Sequence, residues 1–334
     1  MGRKTAGAVK AYPIMEYLPI TEYPKVSVII PVYNGEKTLA RCLDSLLGQQ
    51  YPGEKMEIIV VDNHSTDHTG ELVRQYLGKH ENVKYIPETR RGVSVARNRG
   101  IRNAQGGILL FTDADCIADA NLVLEHVYAH LYFQKHDPSV KAIGGGVAGE
   151  NRNFWAVCDD FSSWYLFHPN LPPRFFITHP TANLSIARDI IDSIDLFDEN
   201  LHYAEDYVFC AGLLRKGYRV YFHPPAVIRH INRVSFRMAM KHSHNWAKAA
   251  YQIREKGFVR RDFLKNIPHI VFYYFFVYIH RQMFDLLYYA FCAKRYYILL
   301  CFPWVWLIRI QFFLCELKEE IRFFRDQHLG MKRN

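Results

Sequence analysis

Two aspartates one residue apart, Asp113 and Asp115, follow directly on the apolar run Gly107-Ile108-Leu109-Leu110-Phe111-Thr112. A buried strand that ends this way places two hard carboxylate ligands in a strand-end turn, an arrangement suited to Mg²⁺ or Mn²⁺ and to a diphosphate held through the ion. A bare D-x-D also serves ordinary turn chemistry, so the surrounding residues decide what it means. A second acidic pair, Glu205-Asp206, opens a later helix, where it either complements the helix dipole or supplies a general base. Adjacent helical side chains point about 100° apart, so these two acids should not share one role. Arg97 lies among Arg90, Arg91, Arg99 and Arg102, and a guanidinium can grip phosphate oxygens bidentately.

The elements that must position these groups alternate. An apolar run from Lys25 to Tyr33 predicts a buried strand, and Asn34-Gly35 turns into a helix striped by Leu39, Leu43, Leu46 and Leu47. Glu57 to Asp62 is a second strand. A polar loop from Asn63 to Asp67 opens a helix carrying Leu72, Val73, Tyr76 and Leu77; a short strand spans Val83 to Ile86, and a helix from Val93 to Ala104 precedes the Asp113 strand. Such alternation implies an α/β, Rossmann-like, mostly parallel sheet with ligands at the carboxyl ends of its strands, where all the marked residues fall.

With these motifs the chain resembles the family-2 inverting glycosyltransferases of the GT-A fold. The resemblance runs from about Val26 to His230 and rests on an ordered series: Ile30-Pro31-Val32-Tyr33-Asn34, Val60-Val61-Asp62-Asn63-His64-Ser65-Thr66-Asp67, Gly92 with Ala96-Arg97-Asn98, Asp113-Ala114-Asp115, and Ala204-Glu205-Asp206. It implies a donor-nucleotide site formed by Pro31, Tyr33, Asn34, Asp62, Arg97 and Asp113, with Tyr33 against the base and Asp62 accepting from base or ribose. Asp113, Asp115 and His230 would hold Mn²⁺ or Mg²⁺, Thr181 and Asn183 would line the acceptor and sugar pocket, and Asp206 would be the base, with Glu205 positioning the acceptor or Asp206. The family usually has Asp-Gly-Ser where this chain has Asn63-His64-Ser65, and histidine accepts a positive φ less readily than glycine. The glutamine-x-x-arginine-tryptophan motif of processive synthases is missing, which implies one sugar per encounter.

The 334 residues are 49% hydrophobic, with a net charge of +9 that suits phosphate-bearing partners, a nucleotide or anionic membrane lipids. No nucleic-acid-binding motif is found. Seven cysteines without C-x-x-C spacing favour reduced thiols. Gly144-Gly145-Gly146 reads equally as a strand under close approach or as a flexible turn. From Arg229 to Lys265 ten Lys/Arg face only Glu255 and Asp262. The apolar stretches Ile267–Ile279, Met283–Ala293 and Tyr296–Cys315 follow, only the last long enough to cross a bilayer. The expected organisation is therefore an N-terminal extension (1–24, with no secretory signal), a GT-A catalytic domain (25–232), a basic helical linker (233–265), and a hydrophobic membrane-associated helical region with a basic tail (266–334). The implied activity is transfer of one sugar from a nucleoside-diphosphate sugar to a glycan or polyprenyl-linked acceptor, by a membrane-associated enzyme whose catalytic domain faces the cytoplasm. A homo-oligomer is left open, and the contrasting reading is a catalytically silent glycan-binding scaffold on the same fold. Truncation after about Lys265 should, on this reading, free a soluble domain.

Overall fold

The computed structural model describes residues 19–151, 153–201, 203–255 and 296–330, with isolated positions between 283 and 291. Most of the N-terminal extension, the stretch Ile267–Ile279 and much of Met283–Ala293 lie outside the described residues. The first half alternates as the sequence predicts: β1 (Val26–Val32), α1 (Leu39–Leu47), β2 (Met56–Asp62), α2 (Thr69–Leu77), β3 (Val83–Pro87), α3 (Val93–Asn103) and β4 (Ile108–Thr112). These four strands pair in parallel in the order β3-β2-β1-β4. The strand order therefore turns back on either side of β1, and the crevice beyond its carboxyl end is where such sheets receive ligands.

The second half is mixed. After β5 (Cys116–Ala118) and α4 (Leu122–His136) come β6 (Val140–Gly149), α5 (Phe154–Trp164), β7 (Arg174–Phe176), β8 (Asn183–Ala187), α6 (Glu205–Arg215) and β9 (Arg219–His230). Strand β8 runs antiparallel to both β4 and β6, β9 is parallel to β6, and β5 and β7 are antiparallel to β9. One apolar layer joins Val26, Val28 and Ile30 of β1 to Leu39, Leu43 and Leu46 of α1 and to α4. The opposite layer joins Ile29 to Ala96 and Ile101 of α3 and Phe209 of α6, the period-2 alternation of a strand covered on both faces.

The glycine run belongs to β6 and is the site of close approach. A Cβ on Gly144 would collide with the His179 ring, one on Gly145 with Asn183 and the Ala226 carbonyl, and one on Gly146 would stand 2.7 Å from the Pro224 carbonyl oxygen. Behind this seam runs a buried polar chain with a fixed direction. Asn183 Nδ2 lies 2.9 Å from the Gly146 carbonyl and 2.8 Å from that of Ala226, so it donates to both and its Oδ1 must accept from His126 Nε2 at 2.8 Å. His126 Nδ1 is then the acceptor, taking the Ser185 hydroxyl proton at 2.8 Å, and Ser185 Oγ accepts from His130 Nε2 at 2.8 Å. Both histidines are neutral in this pattern, and burial pushes them down, His126 to about 4 and His130 to about 3.

The C-terminal region packs on the domain. Helix α7 (Phe236–Glu255) and helix α8 (Phe302–Gly330) lie together. Cys301, Val305 and Phe313 are buried against Cys158, Phe161 and Phe222. Arg309 Nη2 donates to the Ser162 carbonyl at 2.5 Å, and Ser243 Oγ to that of Ile308 at 3.2 Å. The stretch expected as a basic helical linker holds the packed helix α7, and the tail covers an apolar face of α5 that its removal would expose.

Two outcomes follow from this packing. Because each histidine has its folded pKa below the unfolded value of about 6.5, its stabilising effect is complete above that pH and is lost as pH falls toward the folded value. Thermal melts should show a loss on the order of 2 kcal/mol per histidine between pH 7.5 and pH 5, and His130→Gln, which keeps a donor toward Ser185, should remove part of that dependence. Truncation after Lys265 should give a chain that melts lower than the full protein and binds a hydrophobic dye, measured by differential scanning fluorimetry.

Candidate active site

The marked residues converge at the carboxyl ends of β1, β2 and β4 and at the amino end of α6. The connection is Arg97. Its Nη2 donates to Asp113 Oδ1 at 2.9 Å and its Nη1 to Glu205 Oε1 at 2.6 Å, and the guanidinium is only 3% exposed, over the Phe197 ring. The sequence-based assignment of Arg97 to the donor diphosphate is therefore corrected: both ends of its fork are spent on protein carboxylates. A buried arginine is tolerable only when paired, and the two acids it holds would otherwise repel each other. The next residue repeats the pattern in neutral form. Asn98 Nδ2 donates to the Phe197 carbonyl at 2.8 Å and to Glu199 Oε1 at 3.0 Å, while its Oδ1 accepts from Phe197 N at 3.1 Å.

Half-exposed Asp115 and buried His230 form the other half of the site. His230 ends β9 and pairs in register with Cys116 of β5, which brings its Nε2 to 3.4 Å from Asp115 Oδ2. Asp115, Cys116 and His230 each offer a ligand atom, all within 4.8 Å of one another. Burial, then the negative Asp115 and Asp113, drive the Cys116 thiol well above its ordinary value, so the fitting donor set is a carboxylate and an imidazole, with Asp113 alongside. That mixed oxygen and nitrogen set suits a divalent first-row ion.

Across Arg97, Asp206 stands in the first turn of α6, partly buried, its Oδ1 accepting from Tyr207 N at 2.7 Å. Burial first, then the neighbouring Glu205 charge, push its carboxyl up to about 7, against the pull of Arg97. Such a group can take a proton near neutral pH. The backbone that delivers the pair is strained: Ala204 has φ 58° and ψ 22°, a left-handed conformation unusual for alanine.

The nucleotide side shows three departures from expectation. Tyr33 is exposed, as a stacking surface needs, but Arg91 Nη2 donates to its hydroxyl at 2.9 Å and the Arg91 guanidinium carbon lies 4.7 Å from the ring centroid. Asp62 is buried, Oδ1 accepting from Ser65 N at 2.9 Å and Oδ2 from Tyr85 Oη at 2.6 Å; both oxygens already shape the loop after β2. Pro31 is buried within β1 and offers no polar group to the crevice. Asn34 and His64 both adopt left-handed torsions, φ 52° and 65°, so His64 takes the conformation that glycine favours. The two loops are tied together by Asn34 Oδ1 accepting from Thr66 N at 2.8 Å and by Asn34 N donating to Ser65 Oγ at 2.9 Å.

On the acceptor side, Asn183 and Thr181 are corrected. Asn183 is fully buried with its amide engaged in the chain described above, and Thr181 is 2% exposed. Asn183 belongs to β8, and both side chains lie in the interior. Sequence reasoning missed Arg91, Glu199 and Asn232. Glu199 collects Asn98, Arg90 and Arg102 and is held below the usual carboxylate range by them. The Phe197-Asp198-Glu199 run is a sequence signal for it.

Residues 27–186 match the family model Glycosyl transferase family 2. The chain carries a family-2 glycosyltransferase domain. It is 26% identical over 245 residues to the dolichyl N-acetyl-alpha-D-glucosaminyl phosphate 3-beta-D-2,3-diacetamido-2,3-dideoxy-beta-D-glucuronosyltransferase of Methanococcus voltae, a match covering 70% of this chain and 75% of that protein. It is 28% identical over 235 residues to glycosyltransferase AglE of Haloferax volcanii, covering 67% and 74%. Among solved structures, the mannosyltransferase PcManGT of Pyrobaculum calidifontis, in complex with GDP-Man and Mn²⁺, superposes with a TM-score of 0.59 at 21% identity, covering 89% of this chain and 88% of that one. The fold of the glycosyltransferase is thus GT-A.

Removing the bridge tests its weight. Arg97→Ala should destabilise the glycosyltransferase by about 3 kcal/mol or more in urea unfolding, since it strands two carboxylates. Arg97→Lys, whose single ammonium cannot span both, should recover only part of that loss.

Proposed function

We propose that the protein is a metal-dependent, inverting glycosyltransferase that moves one sugar from a nucleoside-diphosphate sugar to a hydroxyl or phosphate of a lipid-linked acceptor. The observation that carries this reading is the two-sided site: the Asp115 and His230 pair at 3.4 Å on one flank and Asp206, raised to about 7, on the other, with Arg97 tying their neighbours Asp113 and Glu205 together. Inversion is a single in-line displacement. The acceptor oxygen bonds to the anomeric carbon as the carbon–oxygen bond to the diphosphate breaks, the acceptor proton passes to Asp206, and the bonding pair leaves with the diphosphate. Asp115 and His230, with Asp113 beside them, would hold Mn²⁺ or Mg²⁺, the imidazole favouring Mn²⁺, and an ion held there would supply positive charge for the leaving diphosphate. Tyr33, freed from Arg91, offers the face for the base.

The lipid-linked acceptor is supported by the Methanococcus voltae relative, whose name specifies a dolichyl-phosphate-linked substrate. Membrane association is supported by the helix from Leu299 to Glu319, which alone among the described residues is long and apolar enough to cross a bilayer. This helix exposes Leu300, Leu307 and Leu314. The domain boundaries at 25–232 and 266–334, and a catalytic domain facing the cytoplasm beside anionic lipid, complete the proposal; the basic stretch from Arg229 to Lys265 supports that orientation.

Release of nucleoside diphosphate should be measured from a panel of uridine-, guanosine- and thymidine-diphosphate sugars with polyprenyl-phosphate acceptors in detergent. Turnover should vanish with chelator, return with Mn²⁺, and be abolished in Asp115→Ala; undiminished turnover in chelator would overturn the metal reading. As pH rises, kcat/KM should increase about tenfold per unit up to about 7 and then level, because only deprotonated Asp206 accepts the proton. Asp206→Asn should keep donor binding while losing turnover by about 10²–10⁴-fold, and loss of donor binding instead would place Asp206 in the donor site.

A further inference from the structure

His230 is held by a contact that decides what its ring can offer. Its Nδ1 lies 2.9 Å from Asn232 Oδ1, and the same Asn232 atom lies 3.1 Å from Trp164 Nε1. An indole N–H can only donate, so the Asn232 atom between the two rings is the amide oxygen, an acceptor. The amide nitrogen faces the other way, 3.4 Å from the Ala156 carbonyl oxygen. In the neutral ring the proton must then sit on Nδ1, and Nε2 presents its lone pair toward Asp115. In the opposite tautomer Nε2 would donate its proton to Asp115, and neither group would be free to bind an ion.

The pocket around Asn232 is built for this orientation. Asn232 is 3% exposed and His230 5%. The Trp164 ring is 5.0 Å from the imidazole, tilted by 51°. A Cβ on Gly149 would collide with the Asn232 amide nitrogen and come within 2.9 Å of Asp160 Cγ, so only glycine at 149 leaves the amide room.

We infer that Asn232 is a positioning residue of the metal centre, locking His230 as the Nδ1–H tautomer so that Nε2 serves as the ligand. A partner that orients a metal-binding histidine through its second nitrogen commonly sets affinity by about 10–100-fold. The inference rests on the reading of Asp115 and His230 as an ion-binding pair.

The full chain labelled with ¹⁵N-histidine, without metal, tests the tautomer directly in a multiple-bond ¹H–¹⁵N spectrum, with the His230 signals identified by their loss in His230→Gln. The wild type should show protonated Nδ1 and unprotonated Nε2. Asn232→Asp and Trp164→Phe, which keep an acceptor at Nδ1, should show the same pattern, and Asn232→Leu should lose it. Mn²⁺ alone, titrated by electron paramagnetic resonance, should bind Asn232→Leu about 10–100-fold more weakly than wild type and Asn232→Asp at least as well. A protonated Nε2 in the wild type overturns the inference, as does wild-type Mn²⁺ affinity in folded Asn232→Leu. Absence of Mn²⁺ binding in the wild type, with no difference from Asp115→Ala, overturns instead the metal reading on which the inference stands.

Discussion

The buried fork of Arg97 is the interaction on which the site depends. Asp113 follows the last strand of the parallel half, and Glu205 opens a helix of the mixed half, 108 residues from Arg97 along the chain. One guanidinium holds both at under 3 Å. A positive charge this deep costs several kcal/mol unless it is paired, and two carboxylates pair with its terminal nitrogens. The same pairing keeps like charges close together, while Asp206, just outside the fork, is left to feel burial and its neighbour's charge.

The rest of the polar interior is organised by the same rule of matched donors and acceptors, here without charge. The chain from His130 through Ser185, His126 and Asn183 to the carbonyls of Gly146 and Ala226 spends every proton in one direction. It fastens α4 to β8, β6 and β9. Those strands in turn carry His230 to the edge of the crevice, so a network far from the chemistry sets where a ligand stands.

Much of this fold was legible in the sequence, for reasons that are local. Apolar runs such as Val26 to Val32 mark buried strands, and the aspartates after β4 and before β5 mark a strand end; both signals need only neighbouring residues. The antiparallel insertion of β8 between β4 and β6 was not legible, because Asn183 to Ala187 reads the same in either direction. Nor was the fate of Arg97 or Asn183: residue type gives hydrogen-bonding capacity, but whether a guanidinium meets phosphate or carboxylate depends on which distant segment arrives. His64 was informative in another way. It takes the left-handed torsion that glycine favours, and ties from Asn34 to Ser65 and Thr66 brace that turn.

The glycine seam of β6 has a consequence for how this protein can change. Each missing Cβ between Gly144 and Gly146 is replaced by a different neighbour: an imidazole ring, an amide with a backbone carbonyl, and a proline turn. A single substitution there meets atoms that cannot retreat, because His179 is fully buried and Asn183 is already committed to two carbonyls and a histidine. Variation must therefore arrive in pairs, a larger residue on β6 together with a smaller one opposite. Stepwise drift is blocked along this line while the exposed rim of the crevice stays open to it, so new acceptor preferences can be sampled at the rim without disturbing the seam beneath.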